Sequence, residues 1–230
     1  DLGFIIADGT GFWQEVKQLD DCSVTLAEPG IPAVRVVHRQ PRFTLVQRIV
    51  SAPDRDTILL EWQLTGDTGL QVYVLLAPHL GGTGRDNVAE VAQYRGRRVL
   101  WAEQGPFGLA LAAVDAAQHA VLDVASAGYS GVSDGWQDFD RHGQMRWRYR
   151  RAGPGNVALT AALPRQGVLA LGFGSSRESA ATLALSSLSQ PFDEAWQEQL
   201  RSWRSWHAAC RLPAGFDDLP DDIRVQVRTS

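Results

Sequence analysis

Apolar and polar residues alternate with a period of two along most of the chain up to residue 187. The clearest example is the stretch 144–151, in which Met145, Trp147 and Tyr149 alternate with arginines. A period of two places successive side chains on opposite faces of an extended backbone. The pattern therefore predicts an antiparallel strand with one face toward the interior and one face toward solvent.

Similar runs recur throughout this part of the chain, and turn sequences rich in Gly, Pro and Asp, such as Ala52-Pro53-Asp54, separate them. A series of about a dozen short strands with no helix between them predicts an all-β fold. We expect a large two-sheet antiparallel sandwich. The further predicted strands are residues 2–7, 33–39, 43–50, 57–64, 70–77, 88–94, 98–102, 107–114, 120–125, 156–163, 168–173 and 182–187.

The spacing of apolar residues changes to three and four after Gln190, which predicts a helix that starts at Pro191 and ends at Pro213. Because tryptophans are costly to leave in water, this stripe must pack on something. It packs either on the sandwich itself or on a following domain. The residues of the stripe are Phe192, Ala195, Trp196, Gln199, Trp203, Trp206 and Cys210.

A second helix is predicted near Pro220, with acidic residues in its first turn. Since the chain starts at Asp1 without a leader, we expect both ends to be cuts through a longer protein. The predicted organisation is a sandwich truncated at its N-terminal end over 1–188, a linker helix over 189–213, and the start of another helix over 214–230.

Composition narrows the class of protein. The chain of 230 residues is 44% hydrophobic and 21% charged, as in ordinary globular proteins. Its net charge is −4 and its basic residues are scattered, so we expect no nucleic-acid partner. It has no apolar run of membrane-spanning length, so we expect no membrane partner. Cys22 and Cys210 set no disulfide framework and are expected to be unpaired.

The most distinctive candidate site is the segment 131–138, Gly-Val-Ser-Asp-Gly-Trp-Gln-Asp. Asp134 and Asp138 could hydrogen-bond sugar hydroxyls while the Trp136 ring stacks on a sugar ring. The alternative is a structural turn in which Ser133 and Asp134 bind backbone amides and Trp136 covers the edge of the core. The residues favour neither interpretation over the other.

Another glycine-rich segment, 77–87, contains His79 at a strand end. A phosphate-binding loop would need a lysine and a following helix, and this segment has neither. His79 is interpreted as a hydrogen-bonded structural residue rather than as a base. No Ser-His-Asp arrangement, paired glutamates or zinc-ligand spacing stands out, so no catalytic and no metal-binding residue is predicted.

The stretches 1–9, 76–81, 131–138 and 155–160 together resemble the N-terminal domain of bacterial glucoamylases and glucodextranases. The likeness is collinear and covers nearly the whole chain, and the Ser-Asp-Gly-Trp-Gln-Asp block at 133–138 is its most specific part. The resemblance implies a supersandwich with the architecture of galactose mutarotase. It also implies a linker helix and then an (α/α)6 barrel, which residues 214–230 would open.

The resemblance implies a function for the parent protein. Glucoamylase-type enzymes are exo-hydrolases that release glucose from the non-reducing ends of α-glucans with inversion. Both catalytic glutamates lie in the barrel, so the resemblance assigns this chain a non-catalytic supporting role and no cofactor. Its partners would be the barrel and, through the parent, an α-glucan or maltooligosaccharide. Export to the periplasm or beyond is favoured over the cytoplasm.

Two other functions stay open. One is a stand-alone carbohydrate-binding module that contacts sugar through Trp136 and Asp138. The other is an aldose mutarotase-like enzyme, because mutarotases share the supersandwich architecture. That enzyme would need a histidine acid and a carboxylate base on one sheet face, and His79 and His142 are the candidate histidines.

Overall fold

The computed structural model describes residues 1–210 and 215–229. Within these residues it confirms the predicted two-sheet antiparallel sandwich. The strands are β1 (Leu2–Ala7), β2 (Trp13–Glu15), β3 (Cys22–Leu26), β4 (Val34–Gln40), β5 (Phe43–Ser51), β6 (Thr57–Gly66), β7 (Gln71–Leu76), β8 (Asn87–Tyr94), β9 (Arg97–Gln104), β10 (Phe107–Asp115), β11 (Ala125–Tyr129), β12 (Arg151–Gly155), β13 (Val157–Leu163) and β14 (Gln166–Gly174).

The two sheets differ in size. In the described part of the chain, the small sheet has five strands in the order β11-β13-β7-β1-β2. The large sheet has nine, in the order β12-β8-β9-β10-β14-β6-β5-β4-β3. The main core lies between the sheets, where the inward side chains of both meet, Trp62, Leu45, Leu111 and Leu159 among them. This alternation of inward apolar and outward polar residues is what the period of two predicts.

The α-helices of the described residues are α1 (Gly135–His142), α2 (Arg177–Ser187), α3 (Phe192–Ala209) and α4 (Asp221–Thr229). Helix α1 lies on the outer face of the small sheet, and α2 and α3 lie on that of the large sheet. Helix α2 packs through Ala180, Ala181 and Ala184 on the large sheet. At Gly172 on β14, a Cβ atom would lie 2.3 Å from the Ala180 carbonyl oxygen. Small residues on both surfaces therefore let the helix backbone approach the sheet closely.

Two predicted strands are wrong. Residues 182–187 belong to helix α2, which begins at the N-cap Ser176 with a capping box closed by Ser179. The buried positions of α2 include Ala180, Ala181 and Ala184, which is helical spacing that the apparent alternation obscured. In the predicted strand 120–125, residues 121–124 form no strand.

The predicted strand 144–151 is also corrected. Regular strand structure begins only at Arg151, yet the preceding residues are hydrogen-bonded to both sheets. The Tyr149 carbonyl accepts a hydrogen bond of 2.8 Å from the Ala127 N–H on β11. The next carbonyl, of Arg150, accepts one of 2.8 Å from the Val91 N–H on β8. The chain therefore passes from the edge of the small sheet to the edge of the large one at this point.

The predicted helix after Gln190 is α3, and the predicted helix near Pro220 is α4. Helix α3 ends at Ala209 with Cys210 as its C-cap, while Pro213 and the predicted boundary at 213/214 lie outside the described residues. Cys22 and Cys210 are both free thiols. Among the described helices, none has the length and apolar character needed to cross a membrane.

Candidate functional site

The segment predicted as a sugar site forms the start of helix α1 rather than a loop. Asp134 is the N-cap, and its carboxylate accepts hydrogen bonds from the N–H groups of Gln137, at 2.8 Å, and of Gly131. The Ser133 hydroxyl accepts a hydrogen bond of 3.0 Å from the Tyr129 N–H. Short polar side chains at an N-cap satisfy the free N–H groups of the first turn. Both polar groups are therefore engaged within their own segment.

Asp138 is buried, with 1% of its surface exposed. Its Oδ2 accepts hydrogen bonds of 2.7 Å from the N–H groups of Arg146 and Trp147. Its Oδ1 lies 2.8 Å from Nδ1 of His142, one helical turn further along α1. A buried carboxylate needs such partners because an unpaired one would be very unfavourable. Asp138 fixes the chain that leaves α1.

Trp136 is half-buried on the outer face of the small sheet. Its Nε1 donates a hydrogen bond of 2.9 Å to the Glu15 carboxylate. Its ring meets the Trp13 ring edge-on, with centroids 5.5 Å apart. Trp136, Asp134 and Glu15 border a shallow cleft of about 320 Å³, whereas Asp138 does not. The structure thus brings two of the three predicted sugar contacts to one cleft.

The glycine-rich segment 77–87 is organised around Asn87, which is fully buried. The Asn87 side chain accepts a hydrogen bond of 3.0 Å from the Leu80 N–H and donates to the carbonyls of Thr83 and Arg85. These hydrogen bonds fix the loop, and its glycines allow the backbone to turn tightly. His79 is exposed at the start of this loop, whereas His142 lies on α1.

Sequence analysis missed an aromatic series that follows α1. The rings of His142 and Trp147 are 5.7 Å apart, and those of Trp147 and Tyr149 are 5.9 Å apart. Tyr149 is 46% exposed and borders a cavity of about 820 Å³ at the edge of the large sheet. The alternation of aromatic and basic residues over 144–151 was the available signal. By itself this alternation predicts a strand with the aromatic residues on its inner face.

A second aromatic series lies on helix α3. Near its start, Phe192 and Trp196 pack on the large sheet, and Trp196 is only 8% exposed. Further along, Trp203 and Trp206 meet at 5.4 Å, and His207 packs against both rings. Trp206 is 54% exposed. The apolar stripe therefore begins against the outer face of the large sheet and continues beyond it.

Comparison with known families decides the assignment. A family model described as glucodextranase, domain N, matches residues 1–208. The chain belongs to this family. The matched residues run from β1 into the last turn of α3, so the sandwich and α1, α2 and nearly all of α3 fall within the glucodextranase domain N match.

A solved structure gives an independent comparison of the fold. The crystal structure of a bacterial glucoamylase complexed with acarbose superposes with a TM-score of 0.83 at 20% sequence identity. The match covers 94% of this chain and 32% of the glucoamylase chain. The chain therefore spans about a third of the length of that protein and shares its fold there. No curated protein matches the sequence significantly.

Proposed function

We propose that this chain is the non-catalytic N-terminal domain of a glucoamylase- or glucodextranase-type exo-hydrolase that releases glucose from α-glucans with inversion. The family match over residues 1–208 supports this proposal. In this proposal the domain supports an (α/α)6 catalytic domain of the same polypeptide. It contributes structure and a docking surface, and the catalytic domain supplies the chemistry.

The carboxylates of the most distinctive motif are consistent with a non-catalytic role for this chain. Inversion needs one carboxylic acid at the leaving oxygen and a carboxylate that activates water, roughly 6.5–9.5 Å apart. Asp134 and Asp138 are the acidic residues of the most distinctive motif, and hydrogen bonds from nearby backbone N–H groups engage both of them. We therefore assign no catalytic residue to this chain.

The observation that carries the docking role is the exposed ring of Trp206 on α3, next to the partly buried Trp203. A half-exposed indole beside another aromatic ring is an unfavourable surface in water, and such surfaces mark contacts with a partner. Arg204, on the same part of α3, pairs with Glu28 of the sandwich, so this part of the helix is held in place. We propose that the catalytic domain covers Trp203 and Trp206.

Enzyme assays test the functional role. The chain of 230 residues should release no glucose from maltooligosaccharides, whereas the longer protein that contains it should release glucose as the β-anomer first, as NMR can detect. Stoichiometric release of glucose by the chain alone would contradict the non-catalytic assignment. A longer protein that releases no glucose, or releases the α-anomer first, would refute the proposed activity.

Trp206→Glu tests the docking surface in the longer protein. It places a charge on the proposed interface, and we expect the melting temperature of that protein to fall by several degrees. Val132→Glu is the matched control, because Val132 is 61% exposed in the turn before α1 on the other side of the sandwich. Equal effects of the two changes would exclude this face of α3 as the docking surface.

A further inference from the structure

The cavity beside Tyr149, at the edge of the large sheet, is separate from the cleft at Trp136 and from the exposed Trp206 on α3. It forms where the chain after α1 crosses from the small sheet to the large one, next to β8 and β9. Its volume is about 820 Å³, which is enough for a few sugar rings. The Tyr149 and Arg150 carbonyls, bonded to β11 and β8, hold this wall of the cavity in place.

One aromatic ring at the rim is available for contact. Tyr149 borders the cavity and is 46% exposed, and its neighbour Trp147 extends the aromatic surface away from it. The phenol of Tyr94, on the other side, is held by a 2.8 Å hydrogen bond to Thr182. The exposed Tyr149 ring therefore offers an apolar face to a ligand at little cost in conformational entropy, whereas the Arg95 guanidinium lies over the Tyr94 ring.

The charges of the lining favour a neutral ligand. Four arginines and three carboxylates border the cavity, so their charges nearly cancel. The arginines already have partners: Arg150 and Arg177 pair with Glu90, and Arg98 and Arg148 donate to backbone carbonyls. A strongly anionic ligand would have to break these contacts. A polyhydroxylated ligand can add hydrogen bonds to them.

One buried donor inside the lining has no partner. Trp101 borders the cavity, and its Nε1 is buried with no hydrogen-bond acceptor. The Arg177 guanidinium lies over the Trp101 ring, 4.7 Å from its centroid. An unpaired buried N–H is unfavourable, so a ligand oxygen that accepts a hydrogen bond from it would be stabilised.

We propose that this cavity binds a segment of an α-glucan, with Tyr149 stacking on a glucose ring. The choice of α-glucan rests on the proposed function, whereas the choice of a neutral sugar rests on the rings and charges of the cavity. The site is distinct from the predicted one at Trp136, because Trp136 borders a different cleft. It would hold polymer beside the catalytic domain rather than take part in hydrolysis.

NMR titration of the chain with maltoheptaose tests the proposal. We expect a Kd on the order of 1 mM and shifts confined to residues that border the cavity. Tyr149→Ala should weaken binding about tenfold, since it removes the stacking ring. The Tyr149→Ala variant should keep the fold, because the backbone of residue 149, not the tyrosine side chain, joins the sheets. Tyr129→Ala, at a tyrosine that is 41% exposed outside the cavity, should leave binding unchanged.

The other outcomes overturn the proposal. Absence of shifts at the cavity at 20-fold excess over the expected Kd, about 20 mM maltoheptaose, would exclude the site. Equal binding of cellohexaose would exclude α-glucan selectivity, and equal effects of Tyr129→Ala and Tyr149→Ala would exclude stacking on Tyr149. Glucose release by the longer protein, measured separately, distinguishes failure of this site from failure of the proposed function.

Discussion

Helix α1 and the segment that follows it carry similar residues but use them in opposite ways. In α1 the carboxylates of Asp134 and Asp138 bind backbone N–H groups, and the indole of Trp136 binds Glu15. In the segment 145–150 the backbone makes the contacts between sheets, and the Tyr149 ring is exposed. The polar groups of the most specific sequence motif are therefore already engaged in hydrogen bonds within the fold. The less specific pattern leaves one aromatic ring, that of Tyr149, exposed.

The largest effect should come from Asp138→Ala. This change leaves the N–H groups of Arg146 and Trp147 and the His142 ring without their acceptor in a buried place. Loss of hydrogen bonds to a buried charged group predicts a decrease of about 3–4 kcal/mol in the free energy of unfolding. Urea denaturation measures it. Asp140→Ala, at an exposed position on the same helix, is the control and should change stability by less than about 0.5 kcal/mol.

Trp136→Ala should have the next largest effect. It removes the edge contact with Trp13 and the hydrogen bond to Glu15. Because Trp136 is only half-buried, we expect a loss of about 2–3 kcal/mol, below that of a fully buried tryptophan. If Trp136→Ala unfolds like the unmodified chain while the longer protein loses affinity for substrate, the residue is a sugar contact. The contrast between the two regions would then be wrong.

The sequence predicted the class of fold because the period of two persists through most strands, for example over β5 and β6. The prediction is wrong where the periods of a strand and of a helix coincide. The alanine-rich α2 has apolar residues at both alternating and helical positions, so its pattern fits either element. The capping box at Ser176 and Ser179 is the sequence signal that marks the start of this helix. The prediction is also wrong at 144–151, where the alternation is real but the partner strands belong to two different sheets. Local pattern carries no information about which sheet an extended segment joins.

The candidate site was less predictable for a related reason. The residue types at 131–138 suit sugar binding and a structural turn equally well. Only the positions of the backbone N–H groups decide whether the polar side chains bind the backbone or stay free for a ligand. The exposed Tyr149 ring could be recognised only after the crossing between sheets was known. For the stripe on α3, the spacing predicted the helix, while the exposure of Trp206 depends on where the sandwich ends beneath it.

Tyr149→Ala tests the segment 145–150, the second of the two regions compared. Its ring is exposed, and the substitution keeps the backbone hydrogen bonds that join β11 to β8. We expect a change in unfolding free energy within about 0.5 kcal/mol, as for ordinary surface positions. A loss as large as that of Trp136→Ala in the same denaturation experiment would show that the ring is structural. The division between the two regions would then not hold.

The smallest effect concerns pH and the turn that supports the end of α1. Asp8 organises the turn between β1 and β2, and Gly11 of this turn contacts Gly143 at the end of α1. A Cβ atom at Gly143 would lie only 2.8 Å from the Gly11 Cα. Hydrogen bonds from the Thr10 backbone and hydroxyl, with further ones from Phe12 and Arg42, lower the pKa of Asp8 from 3.8 to about 2.

A carboxyl whose pKa is lower in the folded state contributes stability above its unfolded pKa and loses it as pH falls toward the folded value. The stability that Asp8 contributes should therefore be complete above about pH 5 and decline between pH 4 and pH 2. Asp8→Asn removes this titration, so the gap in unfolding free energy between the two chains should narrow from pH 5.5 to pH 3. A gap that stays constant over this range would mean that Asp8 does not titrate with the fold.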